Sequence, residues 1–432
     1  MAIKTPAGSI VDIPRGTRDF GPSDAIALKE ITSVIEEVFA RFGFSPIITP
    51  ALELTQVLNA KAYGADQDKE LYVLSGNDAA LRFDLTVPLA RYMAMNKDIA
   101  LPFKRYQIDR VWRRDEPQRM RSREFMQADI DIVGSSSVSS DAECIAASLA
   151  AIEALGITRY TLLINSRPIL NAILKSFNVP AQSVAAVIRL IDKMPKIGIS
   201  ETIKQLSAAG INADAAQEIM SFITQSMTNS EKLDKVAIDA PQSKPEAQRL
   251  LGLLDALSRY GLKGEVEVDF ALARGLDYYT GAVWETVIEE DGKRLPTIVA
   301  GGRYDGLVGV YSKAGAPAVG SSIGISRVFD ILGPKHSRKT YSTVFVARIG
   351  DEDYQYAIEV ASKLRSRGVR TDVDVTSRGI SKQLEYANSL GIRYVAIVGM
   401  KERGESRVRL RDMQEGTEEL LDLGAVIEKL TK

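Results

Sequence analysis

The period of the apolar positions changes several times along this chain of 432 residues. In residues 23–42, Ile26, Leu28, Ile31, Ile35, Val38 and Phe39 recur near helical spacing. This predicts an amphipathic helix with Ser23 as its N-cap and Gly43 as its stop. FSPIITPALE (44–53) reads as an extended edge segment, because Pro46 and Pro50 cannot donate to a ladder. Residues 81–86, 104–113 and 125–134 read as strands. In the last of these, Gln127, Asp129 and Asp131 fall on one face by period two. Residues 141–155 return to a helical pattern.

From about 168 to 262 helical periods dominate, with breaks expected near Pro180, Pro195, Gly210 and Pro241. Strand character resumes over 264–289 and 297–302, and a helix is expected from Gly324 with Arg327 in its first turn. Beyond 341 the rhythm becomes βαβα: strands at 342–348, 371–375 and 393–399, helices at 352–367 and 379–390. The expected organisation is an α+β core on an antiparallel sheet (1–167 and 263–332). A helical insertion (168–262) interrupts it. A linker (333–341) leads to a C-terminal α/β three-layer domain (342–432) with a mostly parallel sheet.

Composition narrows the chemistry. The chain is 45% hydrophobic and 26% charged, as in ordinary globular proteins. No apolar run is long enough to span a bilayer, and the first residues match neither a signal nor a transit peptide. A cytoplasmic protein is expected. Cys144 is the one cysteine and His336 the one histidine. The latter sits in LGPKHSRKTYS (332–342), a linker-like stretch. A Ser-His-Asp mechanism and a His- or Cys-ligated metal are therefore disfavoured. An enzyme with this composition works through carboxylates, arginines and positioning. Net charge is −1, which argues against indiscriminate nucleic-acid binding. Residues 104–123 nevertheless hold one Lys and seven Arg against three acids, a net +5.

That basic stretch belongs to FKRYQIDRVWRRDEPQRMRSREFMQADIDIVG (103–134), a strand–loop–strand pattern. Arg113 and Gln127 can face one floor, where a guanidinium fork suits a phosphate or carboxylate. A hairpin laced by surface ion pairs, each worth about 0–1 kcal/mol, fits the same residues. RGLDYYTG (274–281) sets an arginine beside Gly275 and two tyrosines. AGGRYDGL (300–307) has paired glycines that suit backbone packed on a ligand or a strand. Either can also be a plain glycine turn. Taken together, three Arg-bearing segments among strands suggest a polyanion site without a P-loop, since no GxxxxGK[ST] occurs.

RGLDYYTG and AGGRYDGL resemble the two segments distinctive of the histidyl-tRNA synthetases, a class II aminoacyl-tRNA synthetase family. VWRRDEPQRMRSREFMQ (111–127) resembles class II motif 2. The stretch ending in Pro50 resembles motif 1, GSSIGISRVFDIL (320–332) motif 3, and PRGTRDF (14–20) the family's N-terminal signature. The likeness runs from about residue 10 to the end. It implies ATP-dependent activation of L-histidine, with Mg²⁺ accompanying the nucleotide, then transfer to histidine tRNA by a homodimer. It also implies roles. Arg113 and Arg274 grip the α-phosphate from two sides, and Arg327 holds the adenine face and γ-phosphate. Asp84, Thr86 and Gln127 bind the α-amino group. Asp131, Tyr278 and Tyr279 wall the imidazole. Gln118, Arg119 and Arg121 meet the tRNA acceptor end. No protein-bound metal is implied. Bacterial members usually carry Glu where Asp84 and Asp131 stand, so these versions look archaeal or eukaryotic. The C-terminal domain resembles an anticodon-binding domain, with Arg370, Arg378, Lys382, Arg393, Lys401 and Arg403 near its strand ends and loops.

Three other readings share part of this pattern. The synthetase-like regulatory subunit of ATP phosphoribosyltransferase lacks the C-terminal domain. A non-catalytic RNA-binding or signalling paralogue usually loses adenylation residues. A proline or threonine enzyme would lack RGLDYYTG.

Overall fold

The computed structural model describes residues 12–60, 71–76, 78–273, 279–290, 293–333 and 338–431. The chain divides into two compact units, residues 1–18 with 31–333 and residues 19–30 with 334–432.

The first unit is built on eight strands. In chain order they are β1 Ser45–Pro46, β2 Phe103–Trp112, β3 Glu124–Val133, β4 Thr161–Ser166, β5 Glu265–Val268, β6 Ala282–Val287, β7 Val299–Arg303 and β8 Ala318–Ile323. They lie in the order β1-β2-β3-β8-β7-β6-β4-β5. The five pairings from β2 through to β4 are antiparallel. Only the two edge pairings, β1 with β2 and β4 with β5, are parallel. The antiparallel core expected from the alternating segments is therefore present.

Central strand β8 has no counterpart in the apolar pattern. Its sequence, AVGSSI, is small and polar, so it carries little strand signal. The reason for small residues is local crowding. A Cβ at Gly320 would run into the Asp131 carboxylate. One at Gly301 on β7 would strike the Gly320 carbonyl and lie 2.6 Å from Trp284 Cζ2. The paired glycines of AGGRYDGL thus accommodate a neighbouring strand and the buried Trp284 indole.

Helix α1 (Pro22–Arg41) ends as expected at Gly43, whose φ is +75°, with Phe44 N donating to Phe39 O at 3.0 Å. The expected strand 81–86 stops early. Ala79–Leu81 is extended, but helix α2 (Thr86–Met95) begins at Thr86. Asp84 Oδ1 accepts from Val87 N at 3.1 Å, satisfying a first-turn donor and turning the chain into the helix. Helix α3 (Val138–Ala154) packs its small Ala, Ser and Cys side chains against β8, with Cys144 Sγ 3.7 Å from Val319 O.

Between residues 167 and 258 every element is a helix, from Arg167–Ser176 to Lys244–Ser258, joined by short turns. The break expected at Pro195 is displaced. Pro195 lies inside the helix Val184–Ile197, and the chain turns at Gly198, φ +83°. The expected strand run 264–289 is interrupted between β5 and β6. Helix α4 (Ile325–Leu332) starts after Gly324 with Arg327 in its first turn, as the sequence predicts.

The second unit carries β9 Val344–Arg348, β10 Thr371–Val373, β11 Tyr394–Val398, β12 Arg407–Asp412 and β13 Glu418–Asp422, in the order β10-β9-β11-β12-β13. Its first three strands are parallel, and β12 and β13 extend the sheet antiparallel. The sheet is mixed rather than mostly parallel, because the charged RVRLRD and EELLD segments form a hairpin that apolar periodicity does not reveal. Val344, Val346 and Val398 pack under α5 (Tyr354–Ser366), while Phe345 and Ile397 face α6 (Ile380–Ser389) on the other side. This gives the three expected layers.

Candidate active site

The register of β2, β3 and β8 builds the floor of the site. Arg105, Asp131 and Gly320 stand side by side across the three strands, and Gln107, Asp129 and Ser322 form the next row. Gln127 lies one row further along β3, opposite Asp109. The three polar residues that period two places on one face therefore share this floor.

Arg113 follows the end of β2. Its Nε donates to Phe83 O at 3.0 Å, and its guanidinium lies 5.2 Å from the Phe125 ring centre. Held this way, it is close enough to Asp84 to stabilise that carboxylate's charge. Asp84 is buried, and burial pushes its pKa up to about 6 against the pull of Val87 N, Arg113 and Arg105. Thr86 is half-buried at the first position of α2. The Gln127 side-chain amide donates to Ser322 Oγ at 2.8 Å, while its Oε1 is buried and has no partner among the described residues.

Asp131 is more constrained than its sequence role implies. Its Oδ2 is 2.6 Å from Arg105 Nη2, and Tyr304 donates a short hydrogen bond to its Oδ1. Burial raises its pKa despite Arg105 and Tyr304, both of which favour the charged form. Burial and the facing Asp131 carboxylate push the Tyr304 phenol well up, so it stays a donor. Asp129 is buried as well, and its pKa is raised to about 7, chiefly by burial. Tyr279 is half-buried and lies on Gly302, where a Cβ would sit 2.8 Å from its ring. Arg274 and Tyr278 lie outside the described residues, as does His336.

Arg327 ties α4 to the basic loop. Its Nη1 donates to Thr297 O at 2.6 Å and its Nε to Met120 O at 3.3 Å. The loop itself closes through a reciprocal backbone pair between Gln118 and Arg121, both bonds 3.0 Å, with Met120 at φ +60°. Arg121 pairs with Asp115 at 2.8 Å. The N-terminal signature braces the loop base: Gly16 O accepts from Arg123 N at 2.8 Å, and Arg15 pairs with Glu116 at 2.6 Å. Arg114 and Arg119 are exposed and make no hydrogen bond or ion pair among the described residues.

One expectation fails. Of the three Arg-bearing segments assigned to a polyanion site, AGGRYDGL does not bring its arginine there. Arg303 is buried against Asp141 at 2.8 Å and bonds to Ser135 O, Ser137 O and Ser140 Oγ. That segment contributes Tyr304 instead. Sequence reading also missed Arg105, which looked like one more charge in a basic run. Its position two residues before Gln107, on the same face as Asp131 across the hairpin, was the available signal. In the second unit, Arg378 pairs with Asp374 at 2.6 Å, Arg393 with Asp412 at 2.9 Å and Arg403 with Asp353 at 3.4 Å. Arg370 lies 5.2 Å from the Tyr341 ring centre. Lys382 and Lys401 are exposed.

Comparison with known proteins places this arrangement. Residues 16–328 match the family model described as histidyl-tRNA synthetase, and residues 343–432 match an anticodon binding domain. A histidine–tRNA ligase of Bacteroides fragilis is 36% identical over 97% of this chain and 99% of that protein. One from Wolinella succinogenes is 39% identical over 93% of each chain, and one from Korarchaeum cryptofilum 36% identical over 96% of this chain and 98% of its own. Among solved structures, the histidyl-tRNA synthetase from Nostoc sp. PCC 7120 superposes with a TM-score of 0.83 at 30% identity. That match covers 100% of this chain and 99% of the other. The S. aureus enzyme, at 21% identity and a TM-score of 0.71, shares the fold. With both segments matched and relatives aligned over nearly the whole length, the chain belongs to the histidyl-tRNA synthetase family.

Proposed function

We propose that this protein is a histidine–tRNA ligase that makes histidyl-adenylate from L-histidine and magnesium-bound ATP, then charges histidine tRNA. Family membership supports the activity. The observation that carries its chemistry is that Arg113, anchored on Phe83 O, stands next to the buried carboxylate of Asp84 and acts on its charge. A cation beside a buried anion complements an amino-acid zwitterion, whose carboxylate turns to Arg113 and whose ammonium turns to Asp84. Thr86 and Gln127 Oε1 complete the ammonium pocket.

So oriented, a histidine carboxylate oxygen attacks the α-phosphorus. The bond from that phosphorus to the bridging oxygen breaks, and pyrophosphate leaves. The nucleophile is already ionised, so no protein base is needed. The barrier falls through alignment and neutralisation of the growing phosphate charge. Arg113 supplies one guanidinium, and Arg274, by the family resemblance, supplies the second. Arg327, anchored to Thr297 O and Met120 O, holds the adenine face and γ-phosphate. In the second step the terminal ribose hydroxyl of the tRNA attacks the adenylate carbonyl carbon, its proton passes to a phosphate oxygen, and the bond from the carbonyl carbon to that phosphate breaks to release AMP.

Asp131, Tyr278 and Tyr279 frame the imidazole. A polar wall of this kind rejects apolar amino acids, which leave its buried groups unpaired. Arg119, with Gln118 and Arg121 on the same loop, meets the acceptor end, and the C-terminal domain meets the anticodon. Exposed Ile48, within the motif 1 segment, and Leu52 and Leu54 just after it suit pairing of two copies into a homodimer. A cytoplasmic location fits a translation enzyme. The test is charging of histidine tRNA transcript with labelled histidine. Stable histidine ester on the tRNA, dependent on ATP, is expected. Adenylate formation without transfer would contradict the ligase assignment.

A further inference from the structure

The imidazole wall contains a carboxylate that no family role covers. Asp129 sits on β3 between Gln127 and Asp131, flanked across the strands by Gln107 and Ser322. It is 4% exposed. Its Oδ1 is buried and has no hydrogen-bond partner among the described residues. The charged or polar groups facing it are Arg105 and Gln107 from β2, Asp131 on its own strand, Ser322 from β8 and Asp84 from the loop before α2. Ser322 accepts from Gln127 and has one hydroxyl proton to give, which supports Asp129. Arg105 acts on Asp129 through its field, while its Nη2 reaches Asp131 and Leu85 O.

Asp131 is occupied differently. Arg105 takes one of its oxygens and Tyr304 the other. Asp131 Oδ2 makes no aligned hydrogen bond either, but it is charge-paired with Arg105 at 2.6 Å, whereas Asp129 Oδ1 has neither a hydrogen bond nor an ion pair among the described residues. A buried carboxylate oxygen left without a donor is costly, and such groups persist where a ligand completes them.

We propose that Asp129 is a specificity-determining residue whose Oδ1 accepts the imidazole N–H of bound histidine, while Arg105 and Tyr304 hold Asp131 as the adjoining wall. This rests on the reading of the site as histidine-activating. The raised pKa of Asp129 agrees with it, because the charged form lacks a compensating partner until ligand arrives.

The test is histidine-dependent ATP–pyrophosphate exchange by the full-length protein and its Asp129→Ala and Asp129→Asn variants. A second readout is inhibition by 3-(imidazol-4-yl)propionate, which has the ring but no ammonium. For Asp129→Ala the histidine KM rises about tenfold or more, as for one lost buried hydrogen bond. The KM for ATP stays within about twofold, and inhibitor binding weakens by a factor similar to the histidine effect. Asp129→Asn, which is isosteric and keeps one acceptor oxygen, falls between. It carries the same comparison if the alanine variant does not fold. A histidine KM within about twofold of the parent overturns the proposal. So does a raised histidine KM with unchanged inhibitor binding, which would put Asp129 on the ammonium. Failure of the unaltered protein to exchange with histidine would remove the functional reading and this inference together. A normal parent with unaffected variants removes the inference alone.

Discussion

Arg105 and Asp131 form an ion pair of 2.6 Å in which both side chains are withdrawn from solvent, at 0% and 2% exposure. Breaking one half of such a pair strands a buried charge, whereas replacing both halves with apolar groups can be neutral. Arg105→Ala should therefore cost about 3–5 kcal/mol of unfolding free energy, measured by urea denaturation. The double variant Arg105→Leu/Asp131→Leu should recover much of that stability without recovering histidine use. A single variant as stable as the parent would show that the pair does not hold the floor.

The arginines should act on rate. Arg113→Ala should lower histidine-dependent exchange by about 10²–10³-fold, the usual effect of removing one preorganised electrostatic donor. Arg274→Ala should match it. Single-turnover adenylate formation isolates this step. A loss below about threefold in either variant would contradict a direct role.

Selectivity should fail separately from rate. Asp131→Ala should raise the histidine KM sharply, because Tyr304 and Arg105 lose their shared acceptor and the wall loses its shape. An unchanged KM would take Asp131 out of the pocket.

Stability should carry a pH signature from the same cluster. Asp84 and Asp129 titrate near 6 and 7 in the fold against 3.8 when unperturbed. The folded state thus holds these protons more tightly than the unfolded chain does. That contribution is fully present below pH 3.8 and is lost as pH rises through 6 and 7. Asp129→Asn removes one ionisable group from this balance. The variant should gain about 1–3 kcal/mol over the parent at pH 8, with the gain shrinking towards pH 5. Melting temperatures at the two pH values decide this. An equal difference at both would mean that Asp129 ionisation is not penalised by the fold.

The order of legibility follows local physics. Strand β3 was readable because polar and apolar residues alternate along its sequence, and that alternation put Gln127, Asp129 and Asp131 on one face. Strand β8 was not, since Gly320 and its small neighbours are chosen to clear the Asp131 carboxylate and the β7 backbone rather than to fill space. Asp84 was placed in a strand because RFDL has extended character, yet its carboxylate caps α2 through Val87. The arginines illustrate the main gap. Arg82, Arg105 and Arg303 are all buried and engaged, whereas Arg114 and Arg119 are exposed. Composition cannot separate the two groups, because the difference lies in which acceptor the fold brings opposite each guanidinium. Arg82, for example, reaches Thr49 O and Asp109.

The exposed pair leads to a further expectation. Arg119→Ala should raise the KM for tRNA and lower the salt dependence of tRNA binding by about one unit of slope, as for one lost phosphate contact. Exchange without tRNA should be unaffected. Equal tRNA affinity across a salt titration would exclude Arg119 from the acceptor contact.

ATP–pyrophosphate exchange measured with each of the standard amino acids in turn tests the central claim most directly. The account predicts exchange with histidine and none above background with the others. Exchange with a different amino acid, or with none, would contradict it.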